Sequence, residues 1–238
     1  MLGVKLGNSL NTAGHFLTPS YSLQLTGTEF MSADDAAGLF DTSEGSISVW
    51  VRIDTMSATG FICRYFLDSN NTSQIIYHDS SQEIRFAYKG GGTNRTVVFD
   101  ASSLEGDNTF HHLLATWKKS TNTIKIYLDG VLKATSTSAL GTFSGSPTLF
   151  DIGQNTAGAS FFKGLVAQYS LFDREITTVT EVYGGIQKNN VVNVTGKTGL
   201  KSYYKFNEGT GTTAIDSSGS NKPGTLSNTP SYSKDVPL

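Results

Sequence analysis

Cysteine is nearly absent: the 238-residue sequence has only Cys63, which excludes an internal disulfide framework. Charge is scarce too. Asp, Glu, Lys and Arg make up 16% of the chain and leave a formal net charge of −2. Eighteen basic residues against twenty acidic ones supply no net positive field, which excludes a nucleic-acid grip. No window approaches the run of about eighteen apolar residues that spans a membrane, so no membrane insertion is expected. Met1 to Thr18 has one lysine and a Gly/Asn/Ser-rich middle, without the apolar stretch of a secretory signal. The chain is therefore expected to be made and kept in a cytoplasm or to leave by other means. The sequons at Asn70, Asn94 and Asn193 then read as products of an Asn/Thr-rich composition.

What is present points to strands. Fourteen Phe and ten Tyr, with 37% hydrophobic residues, are too many for a disordered chain. Gly, Ser and Thr number 25, 28 and 29 and interrupt an apolar period of two every eight to fourteen residues. Ser46 to Ile53 alternates cleanly, with Ile47, Val49, Val51 and Ile53 on one face. Similar runs occupy Ser22 to Leu25, Phe61 to Leu67, Gln74 to Tyr77, Glu83 to Tyr88 and Arg95 to Phe99. Others occupy Phe110 to Trp117, Thr123 to Leu128, Thr148 to Ile152, Leu165 to Phe172 and Leu200 to Phe206. Asp129-Gly130 between two apolar runs is a strong two-residue hairpin signal.

Helical signals are limited to Asp34–Phe40 and to Thr177–Tyr183, the latter read as a short helix with a threonine cap and Gly184-Gly185 as its stop. No run supports a crossover helix, so parallel α/β classes drop out. The expected fold is all-β: an antiparallel two-sheet jelly-roll sandwich with one short helix. Three regions are expected: an arm at 1–20, the jelly roll at 21–188, and a strand and loop-rich tail at 189–238. Within the tail, Asn207 to Pro230 is turn-dense; it reads as a linker or as a loop strapped across the sandwich.

Several segments resemble the laminin-G-like branch of the concanavalin A-like lectin/glucanase jelly rolls. Ser22-Leu23-Gln24-Leu25-Thr26-Gly27 to Met31, then Gly45 to Val51, resembles that family's opening strands. Phe110-His111-His112-Leu113-Leu114-Ala115-Thr116-Trp117 followed by Ile124 to Val131 resembles its central hairpin, and Gly164 to Ile176 its closing strand. The resemblance covers roughly residues 20 to 186. Where the family often has Asp-Gly and Asp-Glu, this chain has Thr26-Gly27 and Ala167-Gln168. No cofactor is therefore expected; calcium stays open, without the acids the family tends to use for it.

Leu200 to Gly219 resembles a segment that usually precedes this domain, which implies either a permuted closure or contact with another subunit. The flanks, including Asp235-Val236-Pro237, resemble structural proteins of tailed phages. That resemblance implies a virion protein made in the host cytoplasm, a capsid decoration or tail-associated component. Its expected partners are other virion proteins or copies of itself, engaged through its termini.

Catalytic constellations are sparse. Glycoside hydrolysis needs two carboxylates roughly 5 to 9 Å apart, and the glucanase pattern Glu-x-Asp-x-x-Glu does not occur. Asp34-Asp35, Asp79/Glu83, Glu105/Asp107 and Asp173/Glu175 read as turn chemistry. The histidines at 15, 78, 111 and 112 lack a nucleophile elbow, and zinc-type clustering is absent. Asp68 to Thr72 reads as a polar turn rather than a calcium loop. Gly90-Gly91-Gly92 reads as a hairpin tip rather than a phosphate cradle. The chain is thus expected to be non-enzymatic.

Glycan binding uses an aromatic face with neutral polar partners. The loop and rim candidates for it are Asn70, Asn71, Tyr77, His78, Tyr88, Asn94 and Asn155. The alternative to a virion component is accordingly a lectin or carbohydrate-binding module for cell-surface polysaccharide.

Overall fold

A computed structural model describes residues 16–185 and 191–237. Residues 1–15 of the expected arm, with His15, lie outside them, as do 186–190 at the expected boundary between sandwich and tail. The first half of the described chain contains β1 (Phe16–Leu17), β2 (Ser22–Thr26), β3 (Phe30–Ser32), α1 (Asp34–Ala37), β4 (Glu44–Ile53), β5 (Gly60–Asp68), β6 (Asn71–His78), β7 (Glu83–Gly90) and β8 (Thr93–Asp100). There follow β9 (His111–Lys118), β10 (Thr123–Leu128), β11 (Val131–Ser136), β12 (Leu149–Ile152) and β13 (Lys163–Phe172). The tail supplies β14 (Val191–Val192), β15 (Leu200–Tyr204), β16 (Thr213–Ala214), β17 (Gly224–Ser227) and β18 (Ser231–Ser233).

Sixteen of these strands form two eight-stranded antiparallel sheets, a jelly-roll sandwich, and β1 and β14 pair as a separate two-stranded sheet. The first runs β11-β10-β9-β4-β13-β2-β18, with β15 also paired to β13. The second runs β16-β17-β3-β12-β5-β6-β7-β8. The two-residue turn at Asp129-Gly130 has positive φ at both residues, 47° and 79°, as a type I′ hairpin requires.

Period-two alternation explains the core. Ile47, Val49, Val51 and Ile53 point inward from β4 and meet Ile75, Tyr77, Ile84 and Phe86 of the second sheet in one buried cluster. Aromatic rings fill its middle. Tyr65 stacks on Phe150 at 4.3 Å and Phe40 on Trp117 at 4.5 Å, while the Tyr169 hydroxyl donates to that of Tyr65 at 3.0 Å. Cys63 sits here as well, fully buried.

The other face of the first sheet is covered. Ile176, Val182, Val192 and Val194 close over Leu114, Phe172 and Tyr203, and Val191 over Trp50 and Leu165. The helix expected at Thr177–Tyr183 is reduced here to one 3-10 turn, Val179–Glu181, and its threonine makes no side-chain cap. β-Branched residues at 177–180 disfavour a helix, and Ile176 and Val182 are held against the sheet.

The tail pairs within the chain. Tyr204 lies opposite Tyr169, Leu226 opposite Met31, and Tyr232 opposite Leu23. Asp216 organises the turn-dense stretch by accepting bonds from the backbone N–H groups of Tyr203, Ser218 and Lys222 at 2.9–3.1 Å. The last strand is latched where Ser22 donates to the Asp235 carbonyl at 2.6 Å and Arg52 pairs with the Asp235 carboxylate. The cover on the first sheet lies over its middle strands and leaves its edge strand β11 exposed, with Val131 at 62% and Leu132 at 47%.

Candidate functional site on the outer face of the second sheet

Strand register decides what the outer face of the second sheet carries. A bulge at Ile62 separates the pairs Phe61↔Ile76 and Cys63↔Ile75. It keeps Phe61, Arg64 and Phe66 on the outer side while Cys63 and Tyr65 enter the core. Across the sheet, Arg64 lies between Asp151 of β12 and Gln74 of β6, and Asp151 faces Ser32 of β3. A polar row therefore crosses four strands: Ser32, Asp151, Arg64, Gln74. Phe61 and Phe66 flank it, and the half-buried pair Phe30 and Phe161, with centroids 6.5 Å apart, extends the aromatic surface. Phe161 bridges to Phe61.

The row is under-bonded. Arg64 Nε, Asp151 Oδ1, Gln74 Oε1 and Gln154 Oε1 are all buried without a hydrogen-bond partner. Asp151 is 3% exposed and Gln154 5%. Buried polar groups are nearly always satisfied in folded proteins, and each exception costs about 1–3 kcal/mol; of the eleven such atoms among the described residues, three lie on this row and Gln154 adds a fourth.

Arg64 is held by its surroundings. Its guanidinium carbon lies 4.7 Å from the Phe66 ring centre and 5.5 Å from that of Phe61, and Nη1 donates to the Asn155 carbonyl at 2.6 Å. Burial lowers its pKa, against the attraction of Asp151. Burial also pushes the Asp151 carboxyl up to about 6, against Gln154, Ser32 and Arg64, which draw it down; nearby Asp34 adds to the rise.

Of the residues singled out in the sequence, Asn155 is brought to this row. Its carbonyl holds Arg64, and its side-chain oxygen accepts from the N–H groups of Ala157 and Ala159, shaping the covering loop. Asn94 is exposed further out on the sheet, opposite Lys89. His78 closes β6 against Ser81, 3.0 Å away. Asn70 is exposed in the β5–β6 turn.

Three of the expected glycan contacts are placed elsewhere by the alternation of their strands. Tyr77 and Tyr88 are on the inward register and fully buried, donating to Glu105 and to the Thr42 carbonyl; neither ring can stack on a sugar. Asn71 is buried too. It sews three loops together through Asp68, Ser144 and the N–H of Gly91.

Arg64, Gln74, Asp151, Gln154, Phe61 and Phe66 were missed by the sequence reading. The only signal was the outward Phe-x-x-Arg-x-Phe spacing of 61–66, which the bulge hides from a strict period of two.

Elsewhere, a concavity of about 280 Å³ is lined by Trp50, Phe110, His111, Asp129, Asp235 and Val236. His111 is bonded to Asp129 at 2.7 Å and Asp107 at 2.8 Å, so its polar groups satisfy one another. Burial lowers the His111 pKa, but these two acids outweigh it and the net shift is upward. Thr26, Ala167 and Gln168, at the positions of the family's acids, have structural roles. Thr26 binds the Glu29 carboxylate, Ala167 is buried, and Gln168 accepts from Tyr203 while donating to the Lys205 carbonyl. Among the described residues, no group of three or more His, Cys, Asp or Glu side chains could hold a metal ion.

No curated protein matches the chain in sequence. Solved structures share the fold. A candidate carbohydrate-binding protein from Bacteroides ovatus superposes with a TM-score of 0.68 at 18% identity, over 93% of this chain; the match spans 62% of that protein's length. The CBM40 module of the Ruminococcus gnavus IT-sialidase, bound to α2,6-sialyllactose, gives 0.57 at 13% identity, over 69% of this chain and 97% of the module. The heptameric SAP-like pentraxin of Limulus polyphemus gives 0.52 at 14% identity, over 76% and 91%. A family model matches residues 25–182, from the opening strand through the turn that covers the first sheet, and the chain belongs to the concanavalin A-like lectin/glucanase superfamily.

Proposed function

We propose that this protein is a non-catalytic carbohydrate-binding jelly roll whose ligand surface is the outer face of the second sheet. The observation that carries the reading is the set of four buried, unpartnered polar atoms on Arg64, Gln74, Asp151 and Gln154, with the Arg64 guanidinium against the rings of Phe61 and Phe66. Sugars combine hydroxyl groups that complete such atoms with C–H faces that rest on aromatic rings. The fold's carbohydrate-binding neighbours support this reading.

A glycan array followed by titration calorimetry tests the reading. Binding is expected in the micromolar to millimolar range, with Phe66→Ala weakening it at least tenfold. No saccharide bound at millimolar concentration would end it. Carried on a virion, as the flanking segments suggested, such a module would act as an adhesin; mass spectrometry of purified particles tests that setting, and absence of the chain from them removes it.

A further inference from the structure

We infer that the polar row selects neutral, polyhydroxylated sugars and holds them through one hydroxyl that bridges Arg64 Nε and Asp151 Oδ1. This rests on the carbohydrate reading above and narrows it to a ligand class.

Arg64 and Asp151 are register partners on neighbouring strands, where opposite charges ordinarily pair. They do not pair. Arg64 spends Nη1 on the Asn155 carbonyl and lies against Phe66 and Phe61, so Nε remains an orphan donor and Asp151 Oδ1 an orphan acceptor. A group that bonds to both must accept from one and donate to the other. A hydroxyl does both at once. The remaining orphans, Gln74 Oε1 and Gln154 Oε1, are further acceptors, which adjacent hydroxyls of the same ring would satisfy by donating.

A sugar carboxylate or sulfate is acceptor-only and meets a different balance. It would satisfy Arg64 but face the Asp151 carboxylate across a site with three acceptors and one donor. Unlike a glutamine amide, which can rotate to present its NH₂ group, an ionised carboxylate offers no donor. Like charges so close, away from water, are strongly unfavourable. The face therefore discriminates against acidic sugars even though it contains an arginine.

The test titrates the full chain at pH 7.5 with neutral probes (gluco-, galacto-, manno- and xylo-oligosaccharides) and acidic ones (sialyllactose and oligogalacturonate). Expected are binding of at least one neutral probe, acidic probes at least tenfold weaker, and a tenfold or greater loss for neutral probes in both Asp151→Asn and Arg64→Gln. Shifts in the amide NMR spectrum on adding the neutral probe should centre on residues 61–76 and 151–155, a readout that needs no variant to fold. Tighter binding of an acidic probe, strengthened by Asp151→Asn, would overturn this inference and leave the carbohydrate reading standing. So would neutral binding that leaves those amides unmoved. Failure of every probe would overturn both.

Discussion

The stability of Asp151→Asn relative to the parent should be highest at neutral pH and shrink as the pH falls. The carboxyl is 3% exposed, and its folded pKa stands at about 6 against an ordinary value of 3.8. Burial raises it, and an acid with a raised folded pKa favours folding only while protonated. Its contribution is fully present below pH 3.8 and lost as the pH rises through about 6. At 1.36 kcal/mol per pKa unit, that interval corresponds to about 3 kcal/mol. Asparagine is nearly isosteric and does not ionise. The variant's stability relative to the parent should accordingly increase by about 2–3 kcal/mol between pH 4 and pH 7.5, whatever constant offset the lost contacts with Ser32 and Gln154 add. Urea unfolding, followed by the fluorescence of buried Trp117 at half-unit steps of pH, measures it. A difference that stays flat across that range would refute the claim that Asp151 is held ionised at a desolvated site. The expected result separates stability from binding: the change that lifts relative stability as the pH rises should weaken sugar binding tenfold or more.

Other consequences are open to direct measurement. In an NMR pH titration, His111 should titrate above 6.5, because its bonds to Asp129 and Asp107 outweigh its burial. His112, whose pKa burial pushes down to about 3, should stay neutral throughout the folded range; titration of both near 6.5 would contradict the geometry of this strand. Gly141→Ala would place a Cβ 1.8 Å from the Gly90 carbonyl oxygen and should destabilise by about 3 kcal/mol or more, read as a lowered thermal midpoint. An unchanged midpoint would mean that the two loops do not meet as described. Cys63, with its thiol pushed up to about 12 by burial, should react with a thiol reagent only at the rate of unfolding; prompt labelling of the native chain would place it elsewhere.

Strand alternation was legible residue by residue. The inward set of β4 (Ile47, Val49, Val51, Ile53) and the hairpin at Asp129-Gly130 follow from apolar spacing and turn chemistry, which are local. The site was not legible in this way. Tyr77 and Tyr88 carry the chemistry expected of a sugar platform, yet their register turns them into the core, whereas Phe61 and Phe66, within a run read only as a strand, face outward. Local sequence fixes the period of a strand but not which side of its sheet stays open. That depended on Ile176, Val182, Val191, Val192 and Val194 packing over the first sheet, and on a one-residue bulge at Ile62 shifting the phase of β5.

By itself, then, the sequence determined an all-β antiparallel sandwich without disulfides, because composition and periodicity act over a few residues at a time. Only the tertiary structure brought Asp151 beside Arg64, 87 positions away in the chain. It also left both without a mutual bond, because the loop carbonyl of Asn155 and the rings of Phe61 and Phe66 hold the guanidinium in place. The candidate function arises from that missing bond, which long-range packing created and no local pattern encodes.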